Sequence, residues 1–136
     1  MIQKNKICIM SIKPAFFNRI VSNTKKVEYR KVAPKNSTHI FLYVSNPIKM
    51  ICGIIEVERI ISDRVDIIWH ETSSISGLTS AEYKCYTKNR DIVSAIFIKS
   101  FKLIESIDPK SIFDSFVSPQ NYIYLENEKF SNLVQA

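Results

Sequence analysis

The sequence predicts a small α+β domain: a mixed, mostly antiparallel β-barrel flanked by short helices. Three observations lead there. Apolar alternation and helical periodicity occur in the order β-α-β-β-β-α-α-β-β, with too few helices between strands for a parallel doubly wound sheet. A glycine inside a long strand, Gly53, marks the bulge or bend with which small barrels turn corners. The chain has 136 residues, 46% of them hydrophobic, enough for one core without metal or disulfide staples. One domain covering residues 1–136 is the expectation.

The elements follow in order. Lys6 to Ile12 is β-rich and reads as the first strand, with Ile7, Ile9 and Met10 toward the core. Pro14 suits the first turn of a helix, where its missing N–H costs nothing. That helix runs to about Ser22, with Phe16, Phe17, Ile20 and Val21 on one stripe and Asn18, Arg19 and Ser22 outward. Ser22-Asn23-Thr24 ends it, and Lys25 falls at the turn.

Lys26 to Arg30 alternates, placing Val27 and Tyr29 on one face and Lys26, Glu28 and Arg30 on the other. Pro34, Lys35 and Asn36 then mark a loop. His39 to Ser45 is a buried strand, Asn46-Pro47 turns the chain, and Ile48 to Ile61 is a second long strand. Asp63 to Glu71 reads as a short helix capped by Asp63, with Val65, Ile68 and Trp69 on one side. Thr79-Ser-Ala-Glu82 has the capping-box pattern and starts another helix, carrying Tyr83 and Tyr86. Ile92 to Ile104 returns to strand, Asp108-Pro109 breaks it, and Tyr122 to Leu125 is a short last strand.

Charge is unevenly distributed. The net charge is +6, but residues 1–50 hold ten Lys or Arg against one acid, Glu28, while the remainder holds nine bases and twelve acids. A one-sided basic surface points to a polyanion, most simply nucleic acid; the alternative is a solvated, solubilising face. Cys8, Cys52 and Cys85 form no CxxC pair and lie in or beside apolar runs, as small buried thiols of a reducing compartment do. His39 and His70 have no second ligand type at a zinc-like spacing. No metal and no cofactor are expected. The N-terminal apolar run is too short for a signal-peptide core, and no run approaches a membrane span of roughly 18 residues. A cytoplasmic protein with no membrane partner is therefore expected.

The charged row Lys26, Glu28 and Arg30 has two readings. One is an exposed Glu28–Arg30 pair of little energetic consequence. The other is a polar wall in which Glu28 accepts from an exocyclic amine or sugar hydroxyl and Arg30 holds a carbonyl or phosphate.

The run SIKP, the amphipathic helix, TKKVEYRK, LYVSNPIK, ICGIIEVERI and the late SPQNYIYL together resemble the ASCH domain of the PUA-like superfamily across nearly the whole chain. The resemblance implies a PUA-like β-barrel and binding of RNA, a nucleotide or a modified nucleoside between barrel and first helix. Carried over by position, the cleft residues would be Lys13, Lys25, Lys26, Glu28, Arg30, Tyr43, Ser45 and Gln120. Tyr43 offers a stacking face or plain barrel packing. Some ASCH-like proteins are similar to this chain and hydrolyse N4-acetylated cytidine, using a lysine at the position of Lys25, a threonine on the following strand and a glutamate. Here Glu28 stands at the strand position and Ser76 or a neighbour where the glutamate would be. If the chain is an enzyme of that kind, or a ribonuclease like other relatives, Lys25 and Glu28 would carry the chemistry. Against this, Glu28 beside Lys25 favours a protonated lysine rather than the neutral amine a nucleophile needs.

Overall fold

A computed structural model describes residues 7–113, 116 and 122–125. The elements are β1 (Ile7–Ile12), α1 (Pro14–Val21), β2 (Val27–Arg30), β3 (His39–Val44), β4 (Met50–Arg64), α2 (Val65–Thr72), α3 (Ser80–Tyr86), β5 (Ile92–Ile107) and β6 (Tyr122–Tyr124). Single 3₁₀ turns follow α2 at Ser73–Ile75 and β5 at Pro109–Ser111.

The strands form one sheet in the order β2-β5-β4-β3-β1-β6. Among the described residues only β1 and β3 run parallel, and the other neighbours are antiparallel. The sheet is open, which corrects the closed barrel expected from the sequence. Closure would require the outer edge of β2 to take another strand, and side chains occupy that edge instead. The Val27 carbonyl accepts from Lys25 Nζ and the Tyr29 carbonyl from Tyr86 Oη. Arg30 reaches across to the Ser11 carbonyl at the end of β1. An edge whose acceptors are filled by side chains offers little to a further strand.

Strand alternation divides the core between the two faces. Cys8, Met10 and Ile12 of β1, Ile40, Leu42 and Val44 of β3 and Ile96 of β5 share one cluster with Phe17 and Ile20 of α1. On the opposite face, Ile9, Phe41 and Tyr43 join Ile51, Ile54 and Leu125, while Val27, Tyr29, Val93, Ala95 and Phe97 pack against Ile68 of α2 and Tyr83 of α3. β1 is thus covered on both faces, so Cys8 and Met10 are as buried as Ile9. Full burial of each apolar side chain of this size stabilises by about 1.5–3 kcal/mol.

Gly53 places α1. The β4–β5 register shifts between Ile51 and Gly53, and a Cβ at Gly53 would fall 2.5 Å from Phe101 Cε1 and 3.2 Å from Phe17 Cε1. The bare backbone lets Phe17 meet Phe101 edge to face at 5.8 Å.

Three local expectations are corrected. Asp63 does not cap α2: it is the penultimate residue of β4, and Arg64 occupies the cap position without a side-chain bond. Strand pairing with Val93 won over the local cap. Cys85 is exposed, unlike Cys8 and Cys52, because it lies on the outer side of α3. Arg19 does not face solvent freely, as described below. Among the described residues no helix is long and apolar enough to cross a membrane.

Candidate functional site

The gap between β1 and β2, roofed by α1, holds a cleft of about 400 Å³. Its geometry begins with two helix boundaries. Lys13 follows β1 in extended conformation and caps α1 just before Pro14 at the first helical position, and it stands exposed at the rim. At the other end of α1, Asn23 adopts positive φ (64°), a conformation asparagine tolerates. The Thr24 and Lys25 amides then both donate to the Arg19 carbonyl at 3.0 Å. This tight turn sends the Lys25 side chain inward.

Lys25 is 2% exposed. Its Nζ lies 3.1 Å from Glu28 Oε1 and donates to the carbonyls of Val27 at 2.7 Å and Ser76 at 3.3 Å. The rings of Tyr29 and Phe16 flank it at 5.3 and 5.6 Å. The second Glu28 oxygen, Oε2, accepts from Arg30 Nη2 at 2.7 Å. Arg30 Nη2 also donates to the Ser11 carbonyl, while Arg30 Nε is buried without a hydrogen-bond partner.

Electrostatics follow from this packing. Burial pushes the Glu28 carboxyl up, but the charges and hydrogen bonds of Lys25 and Arg30 outweigh it and hold Glu28 below the usual carboxylate value. For Lys25, burial is the largest influence and lowers its pKa, with Glu28 opposing. The expectation that Glu28 beside it would keep the lysine from a depressed pKa is corrected, since desolvation outweighs the carboxylate. The three acceptors around Nζ nonetheless match the three N–H groups of an ammonium. A neutral amine has two, and would turn its lone pair toward one acceptor.

The opposite wall is the loop after α2. Gly77 has φ +66°, and a Cβ there would lie 2.7 Å from Lys25 Cβ and 2.9 Å from Lys25 Cα. Glycine thus permits the loop to lie against the lysine. The Lys26 amide donates to the Ile75 carbonyl at 2.8 Å. Arg19 secures the loop by donating to the Gly77 carbonyl and, through Nη1 and Nη2, to both oxygens of Glu82 at 2.9 Å. Glu82 also completes the capping box with Thr79. Tyr86, on the last turn of α3, lines the cleft.

Of the residues proposed from the sequence, Lys13, Lys25, Glu28, Arg30 and Ser45 line this cleft together. Lys26 is exposed and lies in a separate hollow beyond the α1–β2 turn. Tyr43 faces the other side of the sheet, where its ring meets Phe116 at 5.1 Å; it takes the packing alternative, because β3 alternates and Val44 holds the α1 side. Gln120 lies outside the described residues. Ser76 does sit beside Lys25, but it presents a main-chain carbonyl, and its hydroxyl bonds within its own loop. Sequence reasoning missed Phe16 as a cleft wall, Arg19 as a clamp, and Leu78 and Tyr86 as lining. The capping box was the sole signal near them. Neither His39 nor His70 lines the cleft.

Comparison with known proteins locates this arrangement. The ASCH domain family model matches residues 10–105. A Zymomonas mobilis protein named ASCH domain-containing ribonuclease is 28% identical over 138 residues, covering 98% of this chain and 93% of its own length. The crystal structure of ASCH from Zymomonas mobilis superposes with a TM-score of 0.87 at 27% identity, covering 97% of this chain and 96% of that one. The N-terminal domain of Staphylothermus marinus McrB shares the fold at a TM-score of 0.60 and 10% identity, over 98% and 95% of the two chains.

Proposed function

The chain belongs to the ASCH domain family, and on that premise we propose that it is an RNA- or nucleotide-binding module whose ligand, a modified nucleoside included, lies in the cleft between α1 and β2. The observation that carries this reading is the Arg30 guanidinium. It lines a cleft of about 400 Å³ with Nε buried and unpartnered, in a cluster where Lys13, Lys25 and Arg30 outnumber Glu28. The volume lies in the range of small-ligand sites, about 300–1,000 Å³. Arginine presents a planar fork to phosphates and base edges, and the Phe16 and Tyr86 rings in the wall suit a base face. Glu28 is the counter-ion that holds both cations in place, rather than a free reader of amines.

The test is titration of single-stranded RNA and of mononucleotides at low and moderate salt. Affinity should fall with salt by a slope of about −0.7 per neutralised phosphate, and Arg30→Gln should weaken binding on the order of tenfold or more. Absence of binding at low salt, or a flat salt response, overturns the reading.

RNA cleavage is the second reading, favoured by the name and coverage of the Zymomonas mobilis relative. Lys25 and Arg30 would offset charge developing on a phosphate. Glu28, with both oxygens held by cations and its pKa lowered, is a weak base. Single-stranded RNA left intact over hours, with wild type beside Arg30→Gln, removes this reading. Hydrolysis of acetylated cytidine is less well supported, because the three acceptors around Lys25 fit an ammonium and not a nucleophilic amine.

A further inference from the structure

The charged row of β2 continues past the cleft at both ends. The Ile98 amide bonds the Lys26 carbonyl, and Glu28 and Arg30 pair with Ile96 and Ser94. Lys26, Glu28 and Arg30 therefore project from one face of the sheet. Two further hollows lie along this row. At the start of β2, about 260 Å³ is enclosed beside Asn23, Lys25, Lys26 and Lys99, above Ile98 and Phe101. Beyond its end, about 530 Å³ lies beside Lys31 and Lys35, with Ile60, Ser62 and Ser94 in the wall. Ser62 pairs with Ser94, and Ser94 with Arg30, so this hollow adjoins the Arg30 side of the cleft.

Apolar residues in the walls of all three spaces pack on one core cluster. They are Ile98 and Phe101 at one end, Ile12 and Phe16 in the middle and Ala33 and Ile60 at the other. Lys25 is in the wall of both the first hollow and the cleft. Lys26, Lys31, Lys35 and Lys99 are exposed. Lys99 has Glu56 at 3.7 Å, and among the described residues no ion pair engages the other three. Lys31 lies five positions beyond Lys26, an extended span of roughly 17 Å at about 3.3 Å per residue, which is longer than one nucleotide.

We propose that this face is a track for a single-stranded RNA of at least three nucleotides. The central nucleotide occupies the cleft, and the flanking phosphates lie against Lys26 with Lys99 at one end and Lys31 with Lys35 at the other. The proposal rests on the cleft binding a nucleotide. A single strand fits because its bases can turn toward the apolar residues in these walls while its phosphates meet paired lysines at the rim. A duplex keeps its bases stacked inside and cannot enter the hollows.

The test uses a fluorescently labelled RNA octamer and a labelled mononucleotide, each titrated at several salt concentrations. Lys26→Gln with Lys99→Gln, and Lys31→Gln with Lys35→Gln, should each weaken octamer binding on the order of tenfold at low salt. Each pair should also make the salt slope shallower by about 1.4, for two phosphates at about 0.7 each. Mononucleotide affinity should stay unchanged, since none of the four side chains lines the cleft. Replacing the same lysines by glutamate should deepen the loss. Octamer affinity and slope unchanged in both double variants overturn the track. Lysine-dependent octamer binding that survives Arg30→Gln, without mononucleotide binding, retains the track and overturns the cleft reading. Binding of neither RNA by wild type overturns both.

Discussion

Glu28 and Glu82 each hold an arginine at hydrogen-bond distance, 2.7 and 2.9 Å, yet their surroundings differ. The Glu28 side chain is 8% exposed and bridges Lys25 and Arg30 inside the cleft. The Glu82 side chain is 33% exposed and clamps α3 to α1 through Arg19. Both carboxyls are depressed, for different reasons. Glu28 is lowered against the opposing effect of burial. Glu82 is held at about 2 chiefly by its Arg19 hydrogen bond and then by the Thr79 amide. Similar contact lengths therefore carry different consequences. Removing the inner carboxylate leaves two desolvated cations, whereas removing the outer one leaves an arginine that water can solvate.

The largest expected effect breaks the inner cluster. Glu28→Gln should cost about 3–5 kcal/mol of unfolding free energy, the usual consequence of stranding buried partners, measured by urea denaturation. A loss no greater than that of Glu82→Gln would show that the two carboxylates are equivalent after all.

Next comes the wall between them. Gly77→Ala demands positive φ from alanine, at about 1–3 kcal/mol, and adds a clash with the Lys25 backbone. Reduced stability should be accompanied by faster hydrogen exchange at the Lys26 amide, whose acceptor is the Ile75 carbonyl. Unchanged exchange at that amide would mean the loop tolerates displacement.

Acid separates the pair by salt. A carboxyl depressed in the folded state binds fewer protons than the unfolded chain, so stability rises with pH across its window. Both glutamates should therefore lose their contributions as pH falls below the ordinary value of 4.5, Glu82 down to about 2. Stability measured from pH 6 to pH 2 should fall less steeply in Glu28→Gln and in Glu82→Gln than in wild type. In 1 M salt the Glu82 contribution should fade and the Glu28 contribution persist, because screening acts on exposed charges. Equal fading of both would count against a desolvated inner cluster.

The smallest effect is Arg19→Ala. It should lower the urea midpoint slightly, and less in 1 M salt than at low salt, because the ion pair it breaks is partly exposed while the bond to the Gly77 carbonyl is not screened.

Much of this structure is legible along the chain. The element order, Pro14 at the start of α1, the Thr79–Glu82 capping box and the Gly53 bend all correspond to short-range signals. The alternation of β2 likewise placed Glu28 and Arg30 on one side and Val27 and Tyr29 in the core. Other site features arise from contacts with no local trace. Arg19 meets Glu82 across 63 positions, and Lys25 meets the Ser76 carbonyl across 51. Helical periodicity placed Arg19 outward because periodicity reports a face, not what packs on that face.

By itself, then, the sequence determined the elements, their order, the basic character of the first fifty residues and the family, since periodicity, capping and turn chemistry act over a few residues. Tertiary structure alone decided that the sheet stays open, that Tyr43 points away from the cleft, and that Lys25 and Glu28 are buried partners rather than surface charges. The physical reason is desolvation: whether a charge is screened by water or committed to one neighbour depends on which distant segments close over it. Here those segments are α1 and the Ser76–Gly77–Leu78 loop.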